Sequence, residues 1–64
     1  MTPRKTLQER EKELQSLLAT PAGQAELREL ESRYAAATNR LRPGRTSLIT
    51  YLLVCEREQG LLGD

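Results

Sequence analysis

The side chains able to do chemistry in this 64-residue sequence are few and poorly matched to one another. One cysteine, Cys55, lies in "LITYLLVCERE", and the chain has no histidine. A cysteine nucleophile needs a neighbouring base, usually histidine. A structural zinc site draws on a set of Cys and His ligands that one cysteine cannot supply. The sequence therefore predicts no catalytic residue, no metal and no cofactor. Cys55 reads as a small buried hydrophobe. It can form an intermolecular disulfide only on a two-fold axis.

Glutamates occur in three runs: Glu9, Glu11 and Glu13; Glu26, Glu29 and Glu31; Glu56 and Glu58. Such spacings can bind a divalent cation or do acid–base work. Here they lack histidine partners and are interleaved with Arg or Lys. Solvated helix faces are the better account, with Glu29 and Arg33 in the favourable order for a surface pair four residues apart.

Arg33, Arg40, Arg42 and Arg45 fall in a stretch with no acidic residue. A basic cluster near a turn can contact phosphates, and this gives the second reading of the chain: a nucleic-acid-binding accessory or regulatory protein. The net charge of +1 supplies no global field toward nucleic acid or anionic lipid. A recognition helix must also present polar side chains to base edges, and the helix after the cluster is apolar. Arg40 and Arg42 are better read as complementing the negative end of the preceding helix. "RPGRTS" is not a phosphate-binding glycine loop, although Arg45, Thr46 and Ser47 at a helix start could hold an anion.

Helices must position all of these groups. The chain has no Phe or Trp and two Tyr, so its core must be built from Ala and twelve leucines. Leu, Ala, Glu, Arg and Gln favour helix. The fold class is all-α, one small domain of three helices at about residues 3–19, 21–41 and 47–59. The first starts at Thr2-Pro3 or at the capping box Thr6 to Glu9. Leu7, Leu14, Leu17 and Leu18 form its thin apolar stripe, interrupted by Arg10 and Glu11. Thr20-Pro21 ends it and caps the second helix. So short a connection predicts a corner or strong kink, with one bent helix as the alternative. Leu27, Leu30, Tyr34, Ala37 and Leu41 give the second helix a heptad seam. Pro43-Gly44 is the turn, Thr46 the cap of the third helix, and Gly60 its stop. The two leucines of "LLGD" can fold back on the body. Thr50 can bond to the Thr46 carbonyl, and the tyrosine rings belong in the core with their hydroxyls at its edge.

On a helical wheel at about 100° per residue, Leu48, Leu52, Ile49 and Leu53 lie at about 0, 40, 100 and 140°. Tyr51 and Cys55 lie at about 300 and 340°. That apolar arc is about twice the width one core face requires. A chain this short is marginally stable alone, and small folds often add oligomerisation. The sequence thus favours a homo-oligomer, a dimer first. Its contact is expected through Leu27, Leu30, Tyr34, Leu48, Ile49, Tyr51, Leu52, Leu53 and Cys55, with another protein as a further partner. A monomer with the third helix at its centre is the alternative. The functional expectation is a non-catalytic protein–protein interaction module.

Leu48 to Cys55 falls far short of the ~20 residues that span a bilayer. "MTPRKTLQERE" has no apolar signal core, and the lone cysteine suits a reducing compartment. No membrane partner and a cytoplasmic location are expected.

Overall fold

The computed structural model describes residues 4–63. They form α1 (Leu7–Leu17), α2 (Pro21–Thr38) and α3 (Leu48–Glu58), each packed against the other two. The all-α expectation holds. No described helix is long and apolar enough to cross a membrane.

The capping box of α1 is present. Thr6 Oγ1 accepts from the Glu9 N–H at 3.2 Å, while Glu9 Oε1 accepts from the Thr6 N–H at 3.3 Å. The alternative start at Thr2-Pro3 lies outside the described residues. Helices α1 and α2 are separate rather than one bent helix. The Thr20 side chain caps α2 by accepting from Gly23 N–H at 3.0 Å, with Pro21 in the first turn. Residues 18–20 turn the chain through three successive short-range backbone bonds, from Leu18 to Gln15, Ala19 to Ser16 and Thr20 to Leu17. Gly23 makes the tight turn feasible. A Cβ there would lie 2.1 Å from the Leu17 carbonyl oxygen, well inside contact.

Helix α2 ends at Thr38, earlier than the sequence pattern suggested. Asn39 adopts the left-handed conformation at φ 55°, and Arg40 N–H bonds back to Ala35 O at 3.2 Å. Asn substitutes for Gly at such helix ends. The last member of the seam, Leu41, consequently lies in the loop. Ser47, not Thr46, caps α3: its Oγ accepts from Thr50 N–H at 3.2 Å and donates to Thr50 Oγ1 at 2.8 Å. Thr50 therefore meets Ser47 rather than the Thr46 carbonyl, because the cap sits one residue later. Thr46 N–H instead closes the Pro43 turn at 3.0 Å.

At the far end of α3, Gly60 (φ 75°) bonds to Arg57 O at 3.0 Å and Leu61 N–H to Glu56 O at 2.9 Å. This is the six-to-one and five-to-two bonding of a Schellman stop. It turns the tail toward α1, where Gly63 N–H reaches Lys5 O at 2.8 Å, forming an isolated parallel bridge between Thr6 and Gly63. Leu62 is buried in the core and Leu61 is half exposed, so one tail leucine folds back and the other does not.

Candidate interaction surface

The nine expected contact residues gather around one core. Leu27, Tyr34, Ile49, Tyr51, Leu52, Leu53 and Cys55 are buried there with Leu14 and Leu62, and Leu30 and Leu48 pack partly buried against them. The broad apolar arc of α3 is thus covered within a single chain, where α3 packs against both α1 and α2. Cys55 is fully buried.

A polar cluster crosses this core. Glu56, 2% exposed, accepts both arms of the Arg10 guanidinium, from Nε at 2.8 Å and from Nη2 at 3.0 Å. Tyr34 OH donates to Glu56 Oε2 at 2.9 Å, and Arg10 Nη1 also donates to Glu13 Oε1 at 3.1 Å. One residue from each helix therefore meets at a single carboxylate. The bond to Glu56 raises the Arg10 pKa further above its ordinary value. Burial, then the bond to Glu56, pushes the Tyr34 phenol up to about 12. Lys5 pairs with Glu13, and this bond together with that from Arg10 holds the Glu13 carboxyl below the ordinary range. A cavity of about 200 Å³ beside the cluster is lined by Lys5, Arg10, Tyr34, Glu56, Leu61 and Leu62.

Glu56 corrects the expectation of a solvated carboxylate face, and Tyr34 places its hydroxyl inside the core rather than at its edge. The signal was present in the helical phase. Glu56 falls at about 80° on the α3 wheel, in the middle of the apolar arc. Arg10 falls within about 40° of Leu14 on α1. Two opposite charges intruding on two apolar faces form a pattern that points to a buried pair.

The arginine cluster is divided. Arg40 pairs with Glu58, and Arg42 Nε with Glu31 Oε2 at 2.6 Å, while Arg42 Nη1 also donates to Thr46 O at 2.9 Å. Arg33 and Arg45 are exposed and have no carboxylate partner among the described residues. The anticipated Glu29–Arg33 pair does not form among the described residues. Arg42 reaches across the loop for Glu31 instead.

These ties, with Tyr51 OH donating to Arg40 O at 2.9 Å, pin the loop between α2 and α3 at several points. The loop holds Leu41 outward at 84% exposure, and Val54 is 45% exposed on the nearby face of α3. Between them lies a groove of about 180 Å³ lined by Arg40, Leu41, Pro43, Thr46, Tyr51 and Val54. Burial raises the pKa of the Tyr51 phenol that borders it.

Sequence reasoning missed this surface. It counted Leu41 as the last member of the α2 heptad seam. The groove forms only because α2 stops before Leu41. Among the described residues no group of three or more Cys, Asp or Glu is placed to hold a metal ion.

No protein-family model, curated protein or solved structure matches this chain.

Proposed function

We propose that the chain is a small, non-catalytic protein–protein interaction module, and that its contact surface is the groove between the α2–α3 loop and α3. The observation that carries this reading is Leu41, an 84% exposed leucine held by a pinned loop beside an apolar groove. Exposed single hydrophobes are ordinary. Here the support is the grouping of Leu41 with Pro43, Val54 and the buried Tyr51 ring along one groove, rather than the leucine alone. The homodimer anticipated from the sequence is one form of this reading. Its contact moves from the buried α3 arc to the outward face of Val54 and Leu41. The chemistry-bearing groups favour no reaction: Glu56 is fully engaged by Arg10 and Tyr34, and Cys55 is sealed from solvent. Nucleic-acid binding through the arginine cluster is the weaker reading, because Arg40 and Arg42 already pair with Glu58 and Glu31.

Photo-crosslinking in the source cell tests the proposal. A photoreactive residue at position 41 or 54 should give a discrete protein adduct, and one at exposed Lys12 or Arg28 should not. A doubled chain mass identifies a homodimer, and any other discrete mass identifies another protein. No adduct from positions 41 and 54, or the same products from all four, would reject the surface.

A further inference from the structure

We infer that the groove takes an apolar anchor side chain flanked by carboxylates, presented by a different protein. This rests on the association reading above and specifies the chemistry of the partner. The bordering carboxylates are already engaged: Glu58 by Arg40 and Glu31 by Arg42. Two arginines nearby are not. Arg45 immediately precedes Thr46 of the groove wall, and Arg57 lies three residues beyond Val54, about one helical turn on. Both are exposed, and neither has a carboxylate partner among the described residues. The uncompensated charge on these flanking residues is therefore positive, and the lining is mostly apolar, with Arg40 and Thr46 as its polar members.

Size narrows the occupant further. Pockets that enclose a whole small molecule measure about 300–1,000 Å³, and this groove holds about 180 Å³. It accommodates one or two side chains rather than a whole ligand or a helix. An apolar anchor seated there brings its neighbouring residues over Arg45 and Arg57, where acidic side chains are matched and basic ones are repelled. A second copy fits less well. A two-fold contact apposes the same patch on both chains, bringing two positive rims together.

The test uses two synthetic amphipathic peptides with identical leucine anchors, one flanked by glutamates and one by lysines. Each is titrated into the isotope-labelled full chain and followed by amide chemical shifts. The acidic peptide should shift the amides of Leu41, Tyr51 and Val54 saturably, with affinity about tenfold above that of the lysine peptide and weakening as salt rises. Val54→Glu should abolish binding by both. The double variant Arg45→Glu, Arg57→Glu should reverse the preference with the helical signal unchanged, since both positions are exposed. Equal affinity for the two peptides would overturn the inference. So would shifts confined to other surfaces, or shifts of the same amides on concentrating the chain alone, which would mean a second copy occupies the groove. Preferential binding of duplex DNA at these residues would overturn it too. A discrete adduct from positions 41 and 54 combined with failure of the acidic peptide rejects the acidic partner alone. Absence of both rejects the surface.

Discussion

Glu56 is the residue whose replacement has the clearest consequence. Glu56→Ala leaves the Arg10 guanidinium and the Tyr34 hydroxyl facing a cavity. Breaking a buried pair from one side costs about 3–5 kcal/mol. Arg10 keeps some solvent exposure, so the lower end, about 3 kcal/mol, is expected. That is a large part of the stability of any small domain. Replacing the whole cluster is a different matter. The triple variant Arg10→Met, Tyr34→Phe, Glu56→Leu removes every group that needs a partner, and it should match or exceed the parent in urea midpoint. A Glu56→Ala variant as stable as the parent would contradict the account of the cluster. Tyr34 adds a pH dependence with a definite sign. Its folded pKa, raised to about 12 from the ordinary 10.0, favours the folded state while the phenol is protonated. That stability is complete below about pH 10 and is lost as pH rises from 10 through 12. Tyr34→Phe should flatten the alkaline decline without abolishing it, because burial raises the Tyr51 phenol in the same direction.

At the scale of the elements, three glycines should respond differently to the same change. Gly23→Ala places a methyl 2.1 Å from the Leu17 carbonyl and must force α1 and α2 apart. Thermal melts should show it as the worst of the three, by about 2 kcal/mol or more. Gly60→Ala meets no neighbouring atom but must hold φ at 75°, a cost of about 1 kcal/mol. Gly44→Ala has open space and no such constraint, and should be close to neutral. Similar losses at all three would remove the distinction drawn between close approach and backbone conformation. The stop at Gly60 and the caps at Thr6 and Thr20 were legible in the sequence because each is a local device, complete within four or five residues. The end of α2 was not. Its apolar spacing continues through Leu41, and the break comes from the conformation of Asn39, a residue that also tolerates helix. The cap of α3 was misplaced by one residue for a related reason: Thr46 and Ser47 are both competent caps, and the Pro43 turn takes the Thr46 N–H.

For the whole molecule, the composition sufficed to give the class, since leucine-rich helices without large aromatics have one way to bury their surface. The arc of α3 was also visible, and its width was read as needing two neighbouring surfaces, one of them on a partner chain. Which chains supply them was not visible, because periodicity fixes the face of a helix and says nothing about what packs on it. Within the chain α3 packs against both α1 and α2, and Leu41 and Val54 stay outside. Their substitution should therefore separate folding from association. Leu41→Lys and Val54→Lys should change stability by no more than about 0.5 kcal/mol, whereas Leu27→Ala should cost about 2–5 kcal/mol. Urea titrations of the three read this directly, and a large loss in Val54→Lys would mean that its face is already covered.

The parallel bridge between Thr6 and Gly63 has a topological consequence. With Gly63 N–H bonded to Lys5 O at 2.8 Å, the path of the backbone is almost a closed ring. A short peptide linking Gly63 to Arg4, whose carbonyl lies beside it, would complete that ring with little strain in the folded state. The unfolded chain would lose the freedom of a loop of about 60 residues, worth about 4 kcal/mol by the same arithmetic that applies to a cross-link. A backbone-cyclised form should melt well above the linear chain with its helical spectrum unchanged. Opening the ring again at Gly44, in the exposed turn, would yield a permuted chain in which α3 comes first and the former ends lie in an internal loop.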